Sequence, residues 1–266
     1  MNKTIIAIAI SLGVIYSACK KKDNTAPDNS NITTGITTTT GSTTGGVIMY
    51  SGYFPLTETN YWSNGVNVSN SPKDYSTFTK LFPAPVEELY LGIGTSANLG
   101  SVFLNGTKMY YYASPVNSYI DSTSMLDLSS QRTVILNSTS LPSFTVNVTE
   151  NFVQYDSFNA SYINDTLHLN TKFTVPLVNI TNYDKVDCSI SLRNPLTSAD
   201  YMKSASKSFT TITSGLIFSI NDLSVFSTGQ ELKVKLTLYK IRNETIGGKV
   251  FRFEVKSVNQ FDLVAD

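Results

Sequence analysis

Histidine is almost missing from this chain: His168 stands alone among 266 residues. Any Ser-His-Asp or Cys-His mechanism would have to be built on that one ring. No Gly-x-Ser-x-Gly elbow occurs. A zinc site of the usual His/Cys kind needs more ligands than one histidine and two cysteines supply. Charge is sparse and balanced, with 20 basic and 20 acidic residues, so there is no basic footprint for nucleic acid. No apolar run approaches the ~20 residues that a bilayer core requires. No fixed-period repeat is present, and long helical periodicity is lacking throughout. What the chain has instead is Thr, Ser and Asn in quantity, with 15 Tyr and 14 Phe. β-branched and aromatic side chains suit half-buried strands, and this is the composition of exported β-proteins.

The first residues carry an address. Lys3 gives a positive start and Ile5–Tyr16 an apolar stretch too short to span a membrane. Ser17 and Ala18 are small, and Cys19 follows them directly. A basic start, a short apolar run and small residues before a cut describe an export signal over residues 1–18. The stretch resembles the lipobox of bacterial lipoproteins, with Tyr16 standing where an aliphatic residue is usual. The Cys-Lys-Lys-Lys-Asp start is similar to that of Bacteroidota lipoproteins. The resemblance implies cleavage before Cys19, lipidation of its thiol, a membrane as partner and an outer-membrane location. Two or three acyl chains anchor stably, since each buried methylene contributes ~0.8 kcal/mol and one chain alone is marginal. With Cys19 given to lipid, Cys188 has no partner for a disulfide. Residues 19–46 continue as a linker whose NSNITTGITTTTGSTTGG run has too little apolar surface to offset its ordering entropy.

From Val47 the pattern turns to short alternating runs. Val47–Ser51 reads as a first strand, continued by Tyr53–Leu56. Asn64-Gly65 and Asn105-Gly106 are hairpin turns, because Asn-Gly tolerates the positive φ of a type I′ turn. Asp74–Leu81 reads as a short helix ended by Pro83 and Pro85, and Val86–Ile93 as a strand. Further strands are expected at Ser101–Leu104, Thr107–Tyr112, Thr133–Leu136, Phe144–Thr149, Thr166–Asn170, Phe173–Leu177, Val186–Leu192, Lys207–Ile212, Leu216–Ile220, Glu231–Ile241 and Val250–Val258. Asn221–Phe226 reads as one helical turn, and Gly247-Gly248 as the last hairpin turn. Strands at ~8–12-residue spacing point to sandwiches or barrels. The expected fold class is all-β, with two antiparallel, immunoglobulin-like β-sandwich domains at 47–155 and 156–266; a single large sandwich is the alternative.

Two short runs, GSVFLNGTKM (Gly100–Met109) and LPSFTVNV (Leu141–Val148), are similar to uncharacterised Bacteroidota lipoproteins. Their first β-domain carries a G-x-V-x-x-N-G hairpin and an I/L-P-x-F strand start. The resemblance covers about half of the exported chain and implies no activity.

Candidate chemistry is thin. His168 falls on the polar side of its strand, with Thr166 and Asn170. Glu87 and Glu88 point to opposite faces and cannot act together. Asp184 and Asp187 solvate a turn, and neither they nor Asn221/Asp222 form a calcium loop of alternating oxygens. Cys188 alternates with Ile190 and Leu192, which makes it a core residue. The chain is expected to have no cofactor and no enzymatic activity. Tyr61, Trp62, Tyr110 and Tyr112 are the candidates for stacking on a ligand, with Tyr110 and Tyr112 on one side of their strand and Tyr111 on the other. Asp121-Ser122-Thr123 and Asp165-Thr166-Leu167 resemble the Bacteroidota O-glycosylation pattern, marking Ser122 and Thr166.

Three roles are consistent with this pattern. One is a lipid-anchored envelope protein with a binding or structural task, its glycan or protein partner unidentified. A second is a carbohydrate-binding surface lipoprotein of a polysaccharide uptake system. A third is a fimbrial or adhesin subunit, which would need an exchangeable terminal strand at Val47–Ser51.

Overall fold

The structure is a computed structural model that describes residues 43–44, 47–48, 50–63, 66–68, 74–86, 96–120, 127–155, 166–177, 180, 182–210 and 215–266. Strands dominate it. The first half holds β1 (Thr43–Thr44), β2 (Val47–Ile48), β3 (Tyr50–Ser63), β4 (Val66–Asn67), β5 (Asp74–Val86), β6 (Gly100–Leu104), β7 (Thr107–Tyr112), β8 (Ser118–Ile120), β9 (Thr133–Ser138) and β10 (Phe144–Asn147). The second holds β11 (Thr166–Leu167), β12 (Phe173–Pro176), β13 (Lys185–Leu192), β14 (Ser204–Phe209), β15 (Gly215–Phe218), β16 (Glu231–Ile246) and β17 (Lys249–Ala265). Single helical turns occur at Ser198–Tyr201 and Ile220–Leu223, each with a reciprocal capping box from Thr197–Asp200 and Ser219–Asp222. In such a box the hydroxyl and the carboxylate each satisfy one orphan backbone N–H.

The all-β expectation holds, and two of the hairpin turns are where they were read; Asn64-Gly65 lies outside the described residues, between β3 and β4, which pair antiparallel at Ser63↔Val66. Asn105 and Gly106 take φ of 49° and 80° between β6 and β7, and Gly247 and Gly248 take 56° and 75° between β16 and β17. Asn and Gly reach this left-handed region at little steric cost. Asp74–Leu81 is not a helix but most of β5. Its period is two: Thr77, Thr79 and Leu81 turn inward while Ser76 and Phe78 turn out. Pro83 and Pro85 lie within β5, in the stretch where its pairing with β3 slips out of register. Prolines are tolerated at such irregularities because no ladder N–H is needed there. Residues 87–93 of the expected next strand lie outside the described residues.

The sheets are not wholly antiparallel. Among the described residues, thirteen strands form one sheet, in the order β10-β9-β6-β7-β8-β5-β3-β17-β16-β13-β14, with β4 and β11 attached to β3 and β17. β3 lies parallel to β17 over eleven consecutive pairs, from Gly52↔Phe251 to Trp62↔Phe261. Parallel pairing is open to any two strands brought together by a long connection, and here the connection is most of the chain. β12 and β15 form a separate two-stranded layer. Val47–Ser51 is divided. Val47–Ile48 pairs with Thr43–Thr44, while Tyr50 and Ser51 begin β3, which lies between β5 and β17 in the middle of the sheet. That is not the geometry of a detachable terminal strand.

Two apolar clusters sit on the inner face of the long sheet. In the first, the sheet curls back so that β6, β7, β9 and β10 close over β3 and β17. Phe144 of β10 packs edge-on to Phe251, with ring centres 4.8 Å apart, and Phe54 stacks on Phe253 at 5.0 Å. In the second, Leu232, Val234, Leu236 and Leu238 of β16 and Val186, Cys188 and Ile190 of β13 are covered by Val175, Leu216 and Phe218 from β12 and β15. A polar belt divides the two. Glu58 and Asn60 of β3 face Ser257 and Asn259 of β17, all four buried. Asn60 donates to Glu58 at 3.0 Å, and the Trp62 indole donates to Asn259 Oδ1 at 3.0 Å.

Candidate functional site

The outer face of the sheet carries the residues with chemical character. Directly opposed residues on neighbouring strands share a face, so the register assigns them. Tyr53, Pro55, Thr57, Thr59 and Tyr61 of β3 point outward, as do Arg252, Glu254 and Lys256 of β17. The line passes from Pro55 to Phe78 on β5, to Ile120 on β8 and to Tyr110 on β7.

Three regions follow along this face. The first is aromatic. Phe78, Tyr110 and Tyr112 are 43%, 53% and 48% exposed, with half-buried Ile120 between Phe78 and Tyr110. Tyr111 turns the other way, against Tyr119, whose hydroxyl donates to the Gly100 carbonyl at 3.0 Å. Phe78 meets Tyr53 edge-on, with ring centres 5.9 Å apart.

The second region is a buried charge network. Glu254 accepts from Arg252 Nε at 2.6 Å, Tyr53 Oη at 2.8 Å and Lys256 Nζ at 3.0 Å. Arg252 also donates to Tyr50 Oη at 3.1 Å. Burial would neutralise the carboxylate, but Lys256 and Arg252 outweigh it and hold Glu254 ionised down to about 2. Lys256 lies 5.2 Å from the ring centres of both Tyr53 and Tyr239, and Lys185 lies 5.0 Å from that of Tyr239. Ammonium groups are drawn to such ring faces by the quadrupole.

The third region is a groove of about 390 Å³ on the outer faces of β13, β14 and β16. Its floor is Lys185, Thr237 and Tyr239, all buried, with Ser189, Ser206 and Ser208 around them. Lys185 pairs with Asp187 at 2.8 Å, and Ser208 donates to Asp187 at 2.6 Å. Lys207 pairs with Asp222 at 2.9 Å. That proximity draws the Asp222 carboxyl below the usual range, with Lys207 as the main cause. Lys235 stands exposed at the same groove.

The four stacking candidates do not form one platform. Tyr110 and Tyr112 share the aromatic region. Tyr61, 43% exposed, lies on the same face but six residues further along β3 than the Tyr110 row, roughly 20 Å away at 3.3 Å per residue. Trp62 points inward, half-buried and edge-on to Tyr155 at 5.9 Å, and packs against the second cluster. One position in a strand decides this difference.

Of the other sequence candidates, Cys188 is buried in the second cluster, where desolvation pushes its thiol far up and makes it inert. His168 Nδ1 lies 3.1 Å from Asp266 Oδ2, with both side chains exposed. Asp184 accepts from the Ile241 N–H at 2.6 Å and from Lys240 at 3.1 Å, tying the start of β13 to β16. Thr166 is half-buried on β11 beside the end of β17. Cys19, Ser122, Glu87 and Glu88 lie outside the described residues. Among the described residues, no group of three His, Cys, Asp or Glu side chains is placed to hold a metal ion. No helix there is long and apolar enough to cross a membrane.

No family model matches the chain, and no curated protein matches it. Among solved structures, it aligns with SGBP-B of the mixed-linkage glucan utilization locus of Bacteroides ovatus, in complex with a mixed-linkage heptasaccharide. The identity is 10%, and the alignment covers 78% of this chain and 60% of that one at a TM-score of 0.17.

Sequence reading missed Phe78, the Glu254 network and the groove. For the groove the signal was the polar alternation of Lys233, Lys235, Thr237 and Tyr239 and of Ser204, Ser206 and Ser208. That alternation says which side of a strand is wet, but not which strands lie side by side.

Proposed function

We propose that this protein is a lipid-anchored, non-enzymatic binding protein of the outer membrane that holds a glycan on the outer face of its long sheet. The observation that carries the reading is the exposed row of Phe78, Tyr110 and Tyr112 on one face. An exposed aromatic face offers apolar area and a negative quadrupole to the C–H side of a sugar ring. Large exposed apolar surfaces mark interaction sites. Anchoring at Cys19, with residues 19–46 as a spacer, keeps such a face clear of the membrane. The two apolar clusters are read as the cores of two immunoglobulin-like sandwich units, 47–155 and 156–266, with the tip of the last hairpin packed into the first.

A glycan array probed with the full chain tests the binding. Reproducible signals that disappear in Tyr110→Ala and Tyr112→Ala are expected. Signals unchanged in both variants would remove the tyrosine face from the reading. For the anchor, Cys19→Ser is expected to leave the membrane fraction, and a variant that still sediments with membranes overturns lipidation there.

A further inference from the structure

We propose that the glycan held on the aromatic face is acidic, and that Lys80 receives its carboxylate or sulfate group. The inference rests on the glycan-binding reading and names the class of glycan. The register places the lysine at the edge of the rings. One cross-strand row runs from Arg252 on β17 to Tyr53 on β3 and Lys80 on β5. Lys80 follows the Thr79↔Tyr119 pair, so Ser118 on β8 and then Tyr112 on β7 continue that row. The adjacent row holds Phe78, Ile120 and Tyr110. Phe78 and Lys80 are two residues apart on the same side of β5. At about 4.8 Å between strands, Lys80 and Tyr112 are roughly 10 Å apart, with Ser118 between them.

The setting of Lys80 asks for an anion. It is half-buried, and among the described residues its ammonium has no ion pair or hydrogen bond. Burial pulls its pKa below the lysine range, and no neighbouring carboxylate offsets the loss of water. Lys256 on the same face shows the usual arrangement, an ammonium paired with Glu254 at 3.0 Å. Glu254 is already taken up by Arg252, Tyr53 and Lys256. Among the described side chains on the outer faces of β5, β7 and β8 there is no carboxylate. A cation that gives up water without a counter-ion costs stability. Such perturbed groups gather where a ligand supplies the missing charge. Lys108 stands exposed on β7, two residues before Tyr110 and on the same side, and it too has no partner among the described residues. The two ammonium groups thus lie at opposite ends of the aromatic rows. The rings suit the C–H side of a sugar, and a lysine beside them suits its acid group. An ammonium partly screened from water draws an anion more strongly than one in bulk solvent, and charge-assisted bonds are the strong ones.

The test is an array of uronate-bearing and sulfated oligosaccharides, each beside its carboxyl-reduced or desulfated counterpart, probed with the full chain. Calorimetry then measures the strongest binder. The acidic member of a pair is expected to bind, to weaken as salt is raised, and to lose about tenfold in affinity in Lys80→Gln. Lys80→Arg should keep most of the affinity, and Lys108→Gln should lose less than Lys80→Gln because that lysine is exposed. Binding confined to uronates, or to sulfated members, supports the proposal and identifies the acid group. A second measurement needs no ligand. Lys80→Met is expected to raise the melting temperature, because it removes a half-buried cation that has no counter-ion. A lower melting temperature would reveal a structural partner for the lysine and overturn the proposal. Equal binding of acidic and neutral members, or unchanged binding in Lys80→Gln, also overturns it. If neutral members bind and are lost in Tyr110→Ala while Lys80→Gln changes nothing, the glycan reading stands and this inference falls. If no glycan binds the full chain, both fall.

Discussion

The two apolar clusters of this protein share one sheet but are assembled differently. The second is mainly aliphatic in its sheet layer, and every buried member comes from residues 153–265. The first is aromatic at its centre and cannot be completed locally. Phe54 of β3 stacks on Phe253 of β17, across about two hundred residues of chain, and Phe251 and Val255 join it. A contact closed over so long a loop is formed late, because the closure entropy must be met before the contact stabilises anything. The C-terminal hairpin thus serves both clusters: the base of β16 and β17 lies in the second, and the tip of β17 in the first. The polar belt of Glu58, Asn60, Ser257 and Asn259 keeps them distinct.

This difference can be broken at graded cost. Phe253→Ala is expected to destabilise by about 3–5 kcal/mol through the cavity it leaves. Hydrogen exchange should quicken in β6 and β9 before β13 and β14, and a uniform loss of protection would make the clusters one cooperative unit. Glu254→Gln should cost about 3 kcal/mol, because Arg252 and Lys256 then lose the buried charge they surround. Its pH dependence has a definite sign. The folded carboxyl titrates at about 2, below its ordinary 4.5, so its contribution is complete above 4.5 and is lost as pH falls from there toward 2. Acid melts of the parent chain should show that decline, and Glu254→Gln should flatten it. Gly52→Ala is expected to cost about 1–3 kcal/mol by overpacking. A Cβ there would come within 2.9 Å of the Phe251 ring and 3.0 Å of Phe54. Thermal denaturation reads it, and a neutral result would show that the first cluster has room to give. Ser257→Ala should change stability by no more than about 0.5 kcal/mol, since the Oγ it removes is buried without a hydrogen-bond partner. A large loss would mean that the belt is held by more than the bonds described above.

Much of the secondary structure was legible from alternation and turn chemistry. Asn105-Gly106 marked its hairpin because few residue pairs accept two positive φ values in succession. Cys188 was legible as core because Ile190 and Leu192 share its face. β5 reads as a helix in the sequence because Pro83 and Pro85 look like helix punctuation, while the cue in Thr77 and Thr79 is weaker than the pairing with β3 that decides the matter. The candidate site was legible only in fragments. Tyr110 and Tyr112 were paired correctly on one side of a strand, but Tyr61 and Trp62 were grouped together, and the sheet turns one out and the other in.

The chain by itself determined the residues' local alternation: which side chains of a strand go together, and where hairpins turn. These are properties of the backbone period and of composition, and they do not depend on neighbours. Only the tertiary structure decided that β3 lies parallel to β17. That pairing sets which face of β3 meets the cores and buries Glu254 between two cations. A strand's period of two is local, whereas its partner and register are chosen by the packing of the whole sheet.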